Sequence, residues 1–182
     1  MDYKIPDRIF VPVGDGVIIS GVYKGFEDLF NLGIIEKMPV VVAVQSEGSS
    51  NLINNINSSD FQIIKSTTIA DSISVDIPRN FYMAKDFILK YKGELLSVSD
   101  SAILEASKNL SKSTGMFAEP AAAAAYAGFL HYYSNNKIEK ESKNVVLLTG
   151  SGLKDLKSVN EVIKMPKSIQ PTINSLAELI KS

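Results

Sequence analysis

The 182-residue sequence has no cysteine, no tryptophan and one histidine, His131. Without thiols it can form neither a disulfide nor a thiolate metal site. A single imidazole leaves a multi-histidine centre or a Ser-His-Asp set without its parts. No apolar run approaches the roughly 18 residues needed to span a bilayer, and the first residues lack the basic-then-apolar order of a secretion signal. The expectation is a cytoplasmic protein with no membrane partner. Charge of one sign is also lacking: 19 Lys and Arg stand against 20 Asp and Glu, interspersed, so no basic stripe offers a surface to nucleic acid. Internal repeats and low-complexity linkers are absent. With 45% hydrophobic residues the chain has material for one core. Residues 1–182 are therefore expected to form a single domain, with 156–182 as a carboxyl-terminal extension ending in a helix.

The most informative stretch lies near the start. Ile9-Phe10-Val11-Pro12-Val13 is a short β-branched strand that enters Gly14-Asp15-Gly16 and leaves as an amphipathic helix from Val17 to about Leu32. Two close glycines admit positive φ and near approach to a ligand. The unpaired N–H groups and dipole of the helix start favour a phosphate or carboxylate. The next glycine, Gly21, breaks the dinucleotide spacing, and no Gly-Lys-Ser/Thr follows, so an anion here would be read by backbone amides alone. A tight turn without a ligand is the competing reading.

Further along, Val40-Val41-Val42-Ala43-Val44 is an apolar run without alternation, as in a parallel strand covered on both faces. A short helix is expected over 50–56, and the polar 67–72 stretch as a surface loop near the ligand. Asn80 is expected to cap a helix reaching Tyr91, a strand to follow over 94–98, and Asp100 to cap a helix that stops at Gly115. Glu119-Pro120 opens an alanine-rich helix, and Val145-Val146-Leu147-Leu148 reads as another interior strand, running into Thr149-Gly150-Ser151-Gly152. A terminal helix is expected over 171–181. Strands alternating with helices imply an α/β fold, a three-layer αβα sandwich with a mostly parallel sheet. Ligands of such sheets sit outside the carboxyl ends of the strands, which brings the Gly14 loop and Thr149 to one rim.

Other polar residues carry less. His131 has no paired carboxylate in sequence and reads as a helix-end residue. Asp71 and Glu119 could serve a site, although Glu119 is also explained as a charge in the first turn of its helix. The scattered lysines read as solvated charges.

Six segments, taken together and in order over residues 9–155, resemble threonine synthase, within the pyridoxal-phosphate enzymes of tryptophan-synthase-β type. They are Val11-Pro12-Val13-Gly14-Asp15-Gly16, Tyr23-Lys24-Gly25-Phe26, Val44-Gln45-Ser46-Glu47-Gly48, Thr68-Ile69-Ala70-Asp71-Ser72-Ile73, Phe117-Ala118-Glu119-Pro120-Ala121 and Leu148-Thr149-Gly150-Ser151-Gly152-Leu153-Lys154-Asp155. The resemblance is to the carboxyl-terminal part of that family. It implies that Gly14, Asp15, Gly16, Val17 and Ile18 hold the phosphate of pyridoxal phosphate and that Thr149 bonds the pyridine nitrogen. Asp15 stands where the family usually has Asn, Val17 and Ile18 where Gly and Asn are common, and Ser151 where His is frequent. The family's Schiff-base lysine lies in a Ser-Phe-Lys-Asp-Arg segment with no counterpart here, and Lys24 and Lys154 match positions that do not serve that role. The implied activity, O-phosphohomoserine and water to threonine and phosphate, would then need a missing half carried on a separate chain. These residues alone are expected to have no catalytic residue and to self-associate. The alternatives are a non-catalytic ligand-binding or regulatory module of this fold, or part of a related enzyme such as cysteate synthase or threonine dehydratase.

Overall fold

The computed structural model describes residues 4–155 and 168–181. Four parallel strands, β1 (Arg8–Pro12), β2 (Val40–Ser46), β3 (Glu94–Val98) and β4 (Asn144–Val146), form one sheet in the order β3-β2-β1-β4. The register places Ile9 beside Val41 and beside Val145. β1 leads through helix α1 (Val17–Asn31) to β2, and β2 leads through α2 (Asn51–Asn55) and α3 (Phe81–Lys90) to β3. Then come α4 (Asp100–Thr114), α5 (Pro120–Ser134), β4 and, at the carboxyl end, α6 (Ile173–Lys181).

Alternation along the strands assigns the two faces. Phe10, Val42 and Val44 pack with Ile103 and Ala106 of α4 and Ala121, Ala123, Ala124, Ala125 and Tyr132 of α5. The other face sets Ile9, Val11, Val13, Val41 and Ala43 against Ile19 and Tyr23 of α1, Leu52 of α2 and Phe81, Ala84, Phe87 and Ile88 of α3. Helices thus cover both faces, giving the three-layer α/β architecture. Phe10 is fully buried, its ring edge-on to Phe129 and Tyr132 at 5.7 and 5.2 Å, which stabilises the fold by about 2–3 kcal/mol relative to exposure. The alanine side chains of α5 are short enough to bring that helix close to the sheet. Gln45, also buried, joins the layers: its Nε2 donates to Val13 O at 3.1 Å, and its Oε1 accepts from Ile53 N at 3.0 Å.

Three expectations are corrected. The run Val145-Val146-Leu147-Leu148 has the composition of an interior strand, yet β4 lies at the edge of the sheet with Val145 43% exposed. Asp100 does not cap α4; Ser99 does, accepting from Ala102 N, and Asp100 is the first helical residue. Asn80 stands at the N-cap position of α3 without a capping bond. Its Nδ2 reaches α1 instead, donating to Gly16 O at 3.2 Å and Ser20 Oγ at 2.7 Å. The 67–72 stretch is irregular up to the short 3₁₀ turn Asp71–Ile73 and is exposed at Thr67, Asp71 and Ser72, with Ala70 turned into the core. Of the carboxyl-terminal extension, residues 156–167 lie outside the described residues, and α6 forms where the terminal helix is expected.

Candidate functional site

At the carboxyl edge of the sheet a cavity of about 280 Å³ opens between the loop after β1 and the segment after β4. Gly14, Asp15, Gly16, Val17 and Ile18 line one side and Thr149 another, so the structure brings together all six residues singled out from the sequence. Ser72, Glu119 and Lys154 complete its polar lining.

The start of α1 forms the floor. Gly16 occupies its N-cap position at φ +83°, a left-handed conformation that favours glycine, and no side chain caps the helix there. The first intrahelical bond runs from Ser20 N to Gly16 O. The N–H groups of Val17, Ile18 and Ile19 therefore precede any intrahelical acceptor, at the positive end of a 15-residue helix. Space as well as conformation fixes the loop: a Cβ on Gly14 would sit 2.9 Å from Ile73 Cα, and one on Gly16 3.0 Å from Ala84 Cβ. These glycines let the loop lie against the 3₁₀ turn and α3, which sets the direction of α1.

Asp15 does not confront the helix start alone. Its Oδ1 accepts the main-chain N–H of Arg79 at 3.1 Å, and the residue also borders a second hollow with Lys65, Asp76 and Arg79.

Glu119 occupies the N-cap position of α5 and makes no side-chain capping bond. Its side chain is buried at the cavity, where Ser72 Oγ donates to Oε2 at 3.3 Å and Lys154 Nζ lies 3.5 Å from Oε1. A Cβ on Gly150 would come within 1.8 Å of Glu119 Oε1, so glycine is required for the carboxylate to pack there. Ala118 and Ser151 form an antiparallel bridge that seats Thr149 opposite α1. Lys154 is the cavity's one lysine among the described residues, and its ammonium belongs to this ion pair.

The Ser72 segment is held by Asp100. Its Oδ1 accepts from Ser46 Oγ (2.9 Å) and Thr68 Oγ1 (2.6 Å), and its Oδ2 from Ile69 N at 3.0 Å. Sequence reasoning missed Ser72 and Lys154 as lining residues, although both stand in segments it had marked. Asp71 does not line the cavity, and His131 is exposed on the last turn of α5.

The helix start without a side-chain cap, facing a cavity at the carboxyl edge of a parallel sheet, is an α/β domain's usual place for a ligand. The family model described as "Pyridoxal-phosphate dependent enzyme" matches residues 2–150, and the chain belongs to that family. Threonine synthase of Methanocaldococcus jannaschii is 32% identical over 184 residues, covering all of this chain and 45% of that protein. Threonine synthase of Methanosarcina acetivorans is 34% identical over 183 residues, covering 99% of this chain and 45% of that protein. The chain thus spans less than half the length of these two relatives. Among solved structures, the processed form of threonine deaminase isoform 2 from Solanum lycopersicum superposes with a TM-score of 0.73 at 22% identity, over 88% of this chain and 44% of that one. A fungal L-serine ammonia-lyase from Rhizomucor miehei gives 0.71 at 23% identity, over 87% and 50%. At these identities the superpositions establish the fold.

The residues present fit the cofactor. The free N–H groups of α1 suit its phosphate, and Thr149 offers a hydroxyl across the cavity. The two carboxylates are each engaged, Asp15 by Arg79 N–H and Glu119 by Lys154 and Ser72.

Proposed function

We propose that these residues are the cofactor-phosphate half of a threonine-synthase-like enzyme. The observation that carries this reading is the uncapped start of α1 facing Thr149 across one cavity. The main-chain N–H groups of Val17, Ile18 and Ile19 bind the phosphate of pyridoxal phosphate, and the Thr149 hydroxyl bonds the ring nitrogen. Glu119 and Lys154 pair with one another, so Glu119 adds little to the negative charge that Asp15 brings to the site. When bound, the cofactor supplies an electron sink for amino-acid chemistry. Among the described residues Lys154 is the one lysine lining the cavity, and it is paired with Glu119, so on this reading none of the described lysines links the cofactor to the protein. The reaction of the assembled enzyme is conversion of O-phosphohomoserine and water to threonine and phosphate, a reading supported by the threonine synthase relatives. Exposed Leu32, Tyr82 and Leu153 make self-association the expected state of these residues alone.

Calorimetric titration with pyridoxal phosphate, and in parallel with pyridoxal, tests the reading. Binding of the phosphorylated form at one site per chain, weakened at least tenfold by loss of the phosphate and severalfold by Thr149→Val, is expected. Equal affinity for the two forms would overturn it.

A further inference from the structure

Gln45 is the polar member of an otherwise apolar row. On the face of β2 that packs against α1, α2 and α3 it follows Val41 and Ala43, and it is 1% exposed, a place where an unpaired amide would be costly. Both ends of that amide are engaged. β1 and β2 pair in register as far as Pro12 and Val44, and one further ladder bond runs from Val13 N to Val44 O at 2.8 Å. The next bond of a parallel ladder would join Ser46 N to Val13 O, but Gln45 Nε2 takes that carbonyl instead, at 3.1 Å. The main chain of Val13, the residue before Gly14, is thus held by β2 at both its N–H and its carbonyl. At the other end of the amide, Gln45 Oε1 accepts Ile53 N at 3.0 Å. That donor has no acceptor within α2, where the first intrahelical bond runs from Asn54 N to Ser50 O and Ser50 makes no side-chain cap.

We infer that Gln45 is a positioning residue for phosphate binding: it fixes the carbonyl from which the glycine loop departs, and so sets where the N–H groups of Val17, Ile18 and Ile19 stand. This rests on the proposed function, which gives those N–H groups the phosphate. Only Gly14, Asp15 and Gly16 separate Val13 from α1, so a shift at Val13 reaches the helix start with little chain to absorb it. The far side of the loop is tied to α3, where Asp15 O accepts Asn80 N at 3.0 Å and Gly16 O accepts Asn80 Nδ2 at 3.2 Å. Gln45 is the tie on the sheet side, and Val13 itself lines the cavity. An apolar side chain of the same length would fill this part of the core, yet it would release Val13 O and Ile53 N together. An amide supplies the donor for one and the acceptor for the other.

The test is calorimetry of the native chain, Gln45→Met and Gln45→Glu with pyridoxal phosphate and with pyridoxal, at a temperature where all three stay folded. Methionine keeps the length of the side chain and loses both bonds. An ionised glutamate keeps the acceptor for Ile53 N and loses the donor to Val13 O. Both variants are expected to lose about fivefold or more of the native preference for the phosphorylated form, with the affinity for pyridoxal unchanged within about twofold. A residue that only fills the core would weaken the two ligands alike or neither, and either result from folded variants overturns the proposal. Should neither variant fold, the native chain decides by NMR: inorganic phosphate is expected to shift the Gln45 side-chain amide resonances in step with that of the Val17 N–H, and unmoved Gln45 resonances overturn the proposal. No preference of the native chain for the phosphorylated form defeats the functional reading and this assignment with it, whereas a native preference that the variants keep defeats the assignment alone.

Discussion

Asp15 and Arg79 are joined through the backbone: Asp15 Oδ1 accepts the Arg79 N–H at 3.1 Å, and Asp15 O accepts the next N–H, that of Asn80, at 3.0 Å. The loop that carries the site glycines is thereby fixed to the start of α3, and the carboxylate is engaged on that side. A charge nevertheless acts at a distance. A unit charge about 6 Å away in a water-like dielectric is worth roughly 0.7 kcal/mol, about threefold in affinity. Asp15→Asn is therefore expected to tighten pyridoxal phosphate binding about threefold, a gain that shrinks in 1 M salt. Weaker binding by the variant would show that the carboxylate's hold on Arg79 outweighs its charge.

Gly16 combines φ +83° with close packing against Ala84. Gly16→Ala is expected to cost about 1–2 kcal/mol from backbone conformation alone, with a further loss from crowding, read by urea unfolding. An unchanged midpoint would mean that the loop relaxes freely.

Asp100 accepts three hydrogen bonds, from Ser46, Thr68 and Ile69, and so carries the segment that ends at Ser72 and Ile73 in the cavity wall. Asp100→Ala is expected to cost about 2–4 kcal/mol and to weaken cofactor binding, although Asp100 does not line the cavity. Calorimetry on the folded variant checks the second effect.

Tyr23 is fully buried, stacked on Phe87 and Tyr91, and its hydroxyl finds no partner among the described residues. Burial pushes its ionisation well above the ordinary tyrosine range. Tyr23→Phe removes an unsatisfied polar atom and is expected to stabilise the chain by about 1 kcal/mol. A destabilised variant would reveal a partner for the hydroxyl.

Asp76 accepts the Ser66 N–H at 2.7 Å and pairs with Lys65 at 3.0 Å, and these contacts, the Ser66 bond foremost, hold its carboxyl below the usual aspartate value. With the folded pKa depressed, its contribution is present above the unfolded pKa of about 3.9 and lost as pH falls through the folded value. Asp76→Asn is expected to lower the urea midpoint at pH 7 and to make the decline below pH 4 shallower.

The fold was legible because its signals are local and periodic. β1, β2 and β3 announce themselves as apolar or alternating runs, α1, α3 and α4 by helical spacing with Gly33, Gly93 and Gly115 beyond, and α5 by its Glu-Pro start and run of alanines. The glycine loop and Thr149 could be brought to one rim because both follow parallel strands. Tertiary choices were not legible. Asn80 and Ser99 are each suitable helix caps by type, yet only Ser99 caps, because Asn80 lies within reach of Gly16 and Ser20 on another helix. Glu119 looks like a first-turn charge until Lys154 and Ser72, 35 residues after it and 47 before it, prove to be its partners. β4 has interior composition, and nothing within the run could reveal that it is the edge strand of the described sheet.

The most direct measurement of the central claim is a titration of the isotope-labelled chain with pyridoxal phosphate, following the main-chain N–H resonances by NMR. The account predicts saturable shifts concentrated at Gly16, Val17, Ile18 and Ile19 and extending to Thr149, with inorganic phosphate reproducing those on α1 alone. No saturable shift, or shifts confined to surfaces away from the start of α1, would contradict it.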